Sequence, residues 1–232
     1  GTSGIVSRYT ANEAVKSTFM HDSTLLGVWA IMEPNQFGND KEFVSSIQYG
    51  SNDVGRFASY WNRNTGIVAN APTAERKLHD ETVGESGLPF NYFYRCSLQS
   101  NAACLAPPFT ATLGGQEVLL TTLSTSVNQN NKPTGVVGVD VAITDLQDFM
   151  MKAKQSLYSG AGDIAIVTSS GIVAAYTPSS SKLGQTYESL GLPDIRQMAA
   201  QAGENRSLYL DDENFVKVIT PITIGKNVSP WW

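Results

Sequence analysis

Gly135-Val136-Val137-Gly138-Val139-Asp140-Val141 reads as a single extended strand, rich in β-branched residues and carrying one charge. An aspartate inside an apolar strand is costly unless it is paired or hydrogen-bonded. Asp140 therefore needs a partner, either a backbone donor or the ammonium of a ligand. Two further strands are expected upstream, over 108–113 and 117–127, with Gly114-Gly115 and Asn128-Gln129-Asn130-Asn131 as the turns joining the three. Polar residues alternate along them, so this antiparallel meander should keep one face solvated. Downstream, 142–157 has helical periodicity in Leu146, Phe149, Met150, Ala153 and Leu157, with Thr144 as the N-cap.

The rest of the chain continues this α+β pattern. Residues 5–25 form the expected N-terminal helix, with Val6, Tyr9, Val15 and Phe19 near helical spacing and Asn12, Glu13 and Lys16 between them. The run 27–32 (Gly-Val-Trp-Ala-Ile-Met) is a buried strand closed by Glu33-Pro34-Asn35. A hairpin is expected over 56–68, turning at Asn62-Arg63-Asn64-Thr65-Gly66. The polar stretch 73–84, with Glu75, Arg76, Lys77, His79, Asp80 and Glu81, reads as a solvated helix or loop. After Ser159-Gly160 the pattern restarts. Strands are expected over 163–167 and 172–176, then a helix over 192–202 and strands over 207–210 and 215–222. Gly66-Ile67-Val68-Ala69-Asn70-Ala71-Pro72 recurs as Gly171-Ile172-Val173-Ala174-Ala175-Tyr176-Thr177-Pro178, in each case after a strand and a polar turn. Matched surroundings favour two copies of one α+β module, the first larger and carrying the insertions.

Composition narrows the function. The chain has 232 residues, 41% apolar and 16% charged, which suits a folded globular protein. A net charge of −5 offers no basic face for nucleic acid. No apolar run is long enough to span a bilayer. Gly1-Thr2-Ser3-Gly4 resembles a cloning scar and Trp231-Trp232 an abrupt cut, so the chain reads as an excised piece of a longer protein. Cys96 and Cys104 enclose a short polar loop. A local disulfide in an oxidising compartment is the expected state, with free thiols the alternative.

Catalytic motifs are missing: no HExxH, GxSxG, P-loop or GxGxxG occurs. His21 and His79 sit beside acidic residues in polar sequence, and Asp211-Asp212-Glu213 reads as an acidic turn rather than a calcium loop. No metal, cofactor or enzymatic activity is expected. Aromatic density stands out instead. Tyr60 and Trp61 are adjacent on a strand and must point to opposite faces, so only one can face a shared pocket. Tyr92 and Phe93 lie on or beside a short helix, and Phe109 lies on the next strand. With Asp140, such a group makes a box for a cation; the plain alternative is ordinary core packing.

The order of these segments, Val28-Trp29, Glu33-Pro34-Asn35, Tyr60-Trp61-Asn62-Arg63, Gly114-Gly115-Gln116-Glu117-Val118 and finally Gly135 to Val141, resembles the double Cache sensor domains of bacterial methyl-accepting chemotaxis proteins. The resemblance implies a long N-terminal helix (1–25), a membrane-distal PAS-like ligand-binding module (26–157) and a membrane-proximal PAS-like module (158–232). Each module would be an antiparallel sheet with flanking helices. It implies a periplasmic domain of an inner-membrane receptor, homodimeric at full length, that shifts between packing states when a small molecule binds. The same sensor fold also serves histidine kinases, and a periplasmic enzyme is the reading from another class. Family members that bind amino acids hold the carboxylate with an Arg-x-Trp-Tyr segment, matched here by Phe90-Asn91-Tyr92-Phe93. Their Glu-Pro-Tyr-x-Asp strand is matched by Pro107-Pro108-Phe109-Thr110-Ala111. The arginine and one aspartate are thus lost while Asp140 survives, unless Arg95 replaces the arginine. That shifts the expected ligand from an amino acid or purine toward an amine, such as a polyamine, biogenic amine or quaternary ammonium. The ligand-binding residues expected are Tyr60, Trp61, Tyr92, Phe93, Phe109 and Asp140, with the cysteine loop as a lid.

Overall fold

The computed structural model describes residues 2–64, 66–192, 195–203, 206–211, 216–223 and 229–232. Helix α1 (Thr2–His21) leads into strands β1 (Gly27–Met32), β2 (Ala58–Asn64) and β3 (Ile67–Asn70), then helices α2 (Glu75–Leu78) and α3 (Tyr92–Ser100). Strands β4 (Cys104–Leu105), β5 (Phe109–Leu113), β6 (Gln116–Gln129) and β7 (Lys132–Ala142) follow, and then α4 (Ile143–Ser156). The remainder comprises β8 (Ala165–Val167), β9 (Val173–Tyr176), α5 (Ile195–Ala202), β10 (Leu208–Asp211) and β11 (Val216–Ile219). The fold is α+β. Strands β1 to β7 form one antiparallel sheet in the order β3-β2-β1-β7-β6-β4, with β5 also paired to β6. Two separate ribbons, β8-β9 and β10-β11, follow.

The expected meander is present, with a tighter turn between its last two strands. Gln129 pairs with Lys132, leaving Asn130 and Asn131 as a two-residue loop, both with positive φ (52° and 61°). Asparagine tolerates this backbone, and such a loop matches the natural strand twist. The first hairpin tightens in the same way, because Asn62 and Arg63 pair within β2-β3. The recurring glycines Gly66 and Gly171 both take positive φ (80° and 85°) between paired strands.

Two corrections fall on the helices. In α1, Arg8, Asn12, Val15 and Phe19 are buried, whereas Tyr9 is 53% exposed; the side chain of Val6 lies outside the described residues. Polar residues join the buried stripe because each is satisfied. Arg8 donates to Asp40 at 2.6 Å, Ser51 at 2.8 Å and the Gly55 carbonyl at 2.7 Å. In α4, Ala142 occupies the N-cap with no side-chain bond, so Thr144 caps nothing. Phe149 is 65% exposed, while Ile143 and Gln147 are buried. Gln147 exchanges two hydrogen bonds with the Tyr176 backbone (2.9 and 2.8 Å), pairing its side chain to β9 as a strand would. Phe215, Asp212 and Glu213 lie outside the described residues.

These elements give the large sheet two different faces. Val15 and Phe19 of α1 pack on Val28, Ala30 and Phe57. On the opposite face, Phe93 and Tyr94 of α3 pack on Trp29, Ile31, Ala58 and Val136.

Candidate functional site

Strand register assembles the site on the α3 face. Trp29 pairs with Tyr60 on one side and Gly138 on the other, and Thr122 pairs with Asp140. Cross-strand partners point to the same side, so Trp29, Tyr60, Thr122 and Asp140 share a surface. Two glycines make room for the rings. A Cβ on Gly138 would sit 2.3 Å from the Trp29 indole, and one on Gly27 would sit 2.5 Å from the Tyr60 ring. Gly138, within the Gly135–Val141 segment, and Gly27 are therefore part of the site's shape.

A cleft of about 180 Å³ opens over this surface. Asp140 lies in its lining and is buried. Its Oδ1 accepts from the Thr122 hydroxyl at 2.6 Å and the Trp29 indole N–H at 3.2 Å, and the Tyr60 phenol donates to the same carboxylate. Burial pushes the Asp140 carboxyl above its usual range, and the three donors oppose that only in part. Burial and the neighbouring Asp140 charge likewise push the Tyr60 phenol far up, so it remains a neutral donor. No cation pairs with Asp140 among the described residues. The walls are aromatic: Phe90, Phe93 and Phe109 touch one another, with ring centroids 5.6 to 6.1 Å apart.

Of the residues expected to bind a ligand, Tyr60, Phe93, Phe109 and Asp140 meet in this cleft. Trp61 does not. The pleat turns it to the α1 side, where its indole donates to Asn12 at 3.0 Å and its ring lies 5.0 Å from the Lys16 ammonium. Tyr92 lines a neighbouring cleft of about 400 Å³ that shares Phe90, Phe93 and Phe109 with the first. Arg95 bonds to Glu81 and lines neither cleft. Cys96 and Cys104 form a disulfide tying α3 to β4. Much of the segment between them is helix α3, with Ser97 buried against Ser124 at 2.9 Å. Among the described residues, none from 96 to 104 lines either cleft, which corrects the expectation of a lid.

Sequence reasoning missed Trp29, Thr122 and Lys77. For Trp29 and Thr122 the signal is cross-strand register, which no local pattern carries. Lys77 sits in the stretch read as solvated, yet α2 is pinned at both ends. Glu75 bonds to Arg56 at 3.0 Å, and the Leu78 carbonyl accepts from the buried Asn91 side chain at 3.1 Å. Arg56 itself is buried and also bonds to Glu33, Tyr94 and the Met32 carbonyl. Burial pushes the Tyr94 phenol well up, with the Glu33 hydrogen bond adding to it and Arg56 opposing.

An antiparallel sheet clasped between α1 and α3, with a buried acid under aromatic walls, is the architecture of a small-molecule sensor. The chain belongs to the family of methyl-accepting chemotaxis protein-like first PDC sensor domains, whose pattern matches residues 12–148. The methyl-accepting chemotaxis protein TlpQ of Pseudomonas aeruginosa is 26% identical over 219 residues, 94% of this chain and 31% of that protein. The chain thus spans about a third of that relative's length. Two solved structures share the fold: the extracellular domain of histidine kinase mmHK1S-Z3 and the periplasmic sensory domain of the Campylobacter jejuni chemoreceptor Tlp1. For the first the TM-score is 0.70 at 19% identity, over 88% of this chain and 68% of that one. For the second it is 0.64 at 12% identity, over 95% and 74%.

Proposed function

We propose that this chain is the extracytoplasmic ligand-binding part of a chemoreceptor, and that Asp140 receives the ammonium of a small organic ligand, most simply an amine. The membrane-distal module is 26–157, with the site, and the membrane-proximal module is 158–232. The parent protein is a membrane-anchored homodimer that transmits occupancy by shifting between packing states. It performs no catalysis and binds no nucleic acid. The disulfide supports a periplasmic setting, because such bonds persist in oxidising compartments.

One observation carries the ligand class. Asp140 is buried, surrounded by neutral donors and aromatic rings, and lacks a cationic partner among the described residues. A cation would supply the missing charge, and the faces of the rings would favour it further.

Thermal shift of the purified domain, screened against amines, amino acids, purines and organic acids, is the test. A ligand at about 100 times its dissociation constant adds about 2.7 kcal/mol to stability, a shift of several degrees. An amine should produce that shift in the wild type, and Asp140→Asn should abolish it. An equal shift in the variant would remove the amine reading.

A further inference from the structure

We propose that the second cleft, of about 400 Å³, is a separate binding site for a small uncharged aromatic molecule that carries one hydrogen-bonding group. This goes beyond the amine reading and does not depend on Asp140.

A wall of rings stands between the two clefts. Phe90, Phe93 and Phe109 line both, and they touch one another with centroids 5.6 to 6.1 Å apart. Beyond that wall the lining changes character. Tyr92, Pro89, Pro107 and Pro108 add flat apolar faces, and no lysine, arginine or histidine contributes among the described residues. An aromatic ring meets such faces edge-on or offset-stacked. The charged side chains in the lining are Asp80 and Glu85. Glu85 is exposed and Asp80 already accepts from the Thr82 backbone at 3.0 Å, so neither is a buried counter-charge of the kind Asp140 provides. They disfavour an anion, and solvent screening leaves them little to offer a cation. The Tyr92 phenol is half-buried, is kept neutral by that burial, and has no hydrogen-bond partner among the described residues. A hydroxyl or ring N–H on the ligand would satisfy it. Gly184 completes the lining from a distant part of the chain. It takes positive φ (77°), and a Cβ there would sit 3.1 Å from the Leu119 side chain, so glycine lets this segment close against β6. The same segment is held to β9: the Gly184 N–H donates to the Val173 carbonyl at 2.9 Å, and the Val173 N–H to the Gln185 carbonyl at 2.8 Å. An occupant therefore touches the large sheet and the segment paired with β9 together, and its binding is linked to how they pack.

Nuclear magnetic resonance titration of the purified domain with indole, benzyl alcohol and benzoate tests this, in the wild type and in variants of β5 and α3. Thr110 and Thr112 are both exposed on β5, but Thr110 lines only the second cleft and Thr112 only the first. Indole or benzyl alcohol should bind at least ten-fold more tightly than benzoate. Thr110→Trp should weaken that binding at least ten-fold by filling the second cleft, whereas Thr112→Trp should leave it within a few-fold. Tyr92→Phe should weaken it several-fold. Thermal melting checks that each variant folds, and Thr110→Phe takes the place of Thr110→Trp if the larger ring disrupts the strand. Binding lost in Thr112→Trp but kept in folded Thr110→Trp would put the ring in the first cleft and overturn the second site. Benzoate binding as tightly as the uncharged rings, or no binding by either of them, overturns it as well. Unchanged affinity in Tyr92→Phe overturns the role given to the phenol.

Discussion

At Asp140, burial favours the protonated acid, while Thr122, Trp29 and Tyr60 favour the carboxylate. Burial prevails, so the pKa lies above the ordinary aspartate value of 3.8. Across the interval from 3.8 to that raised value the folded state holds more protons than the unfolded state. This residue's contribution to stability therefore declines as pH rises through the interval. Ligand binding has the opposite sign. A cation requires the carboxylate form, so acidification makes binding compete with the proton. Affinity for a cationic ligand should fall as pH drops below the raised Asp140 pKa, and calorimetry from pH 7 down to pH 4 would measure it. A flat profile in the wild type would contradict an ionised Asp140 as the ligand's partner. The need of Asp140 for a partner was legible in the strand itself. Its actual partners were not, because a tryptophan far upstream reaches it only through strand pairing.

Among the elements, α2 shows how a short polar helix is placed. Four residues cannot hold a helix by their own hydrogen bonds. Its position comes from Arg56, which links the end of β1, the approach to β2, α2 and α3 through Glu33, Glu75 and Tyr94. Burial pushes the Glu75 carboxyl up, but Asn52, Arg56 and His79 more than reverse this and hold it low. Replacing Arg56 by Met should cost about 3–5 kcal/mol, because two partly buried carboxylates lose their counter-charge. Urea unfolding would measure this, and a loss under about 1 kcal/mol would show that the network is not what holds α2. The solvated reading of 73–84 failed because local polarity records charge without recording which charges have partners.

For the whole molecule, the large sheet separates α1 on one face from the aromatic-walled cleft on the other. Helix α4 carries the chain onward from β7, and Gln147 binds it to β9. The C-terminal residues return to the same region: Trp232 exchanges backbone hydrogen bonds with Val167, and Trp231 is buried beside Ile143, Ile166 and Ala174. The disulfide closes only a short loop, so its entropic effect on the unfolded chain is limited. Replacing Cys96 and Cys104 together by Ser should lower stability by about 2–3 kcal/mol. The denaturation midpoint with and without reductant would measure it, and the double variant should make that midpoint insensitive to reductant. A midpoint independent of reductant in the wild type would mean that the bond is not formed in the purified domain.

Sequence alone determined most of the strands, though not β4, together with the hairpins and the α+β class, because alternation, turn residues and glycines act over a few neighbours. The cysteine pair and the need of Asp140 for a partner were also visible locally. Tertiary structure decided which aromatics face the cleft: Tyr60 does and its neighbour Trp61 does not, since the pleat alternates and only α1 fixes which face is which. It also decided that Arg8 and Asn12, polar residues on α1, are buried, because their partners lie 29 to 49 residues away. Lys77 entered the cleft for the same reason. Its place depends on Arg56 and Asn91, and contacts between distant residues leave no periodic trace in the chain.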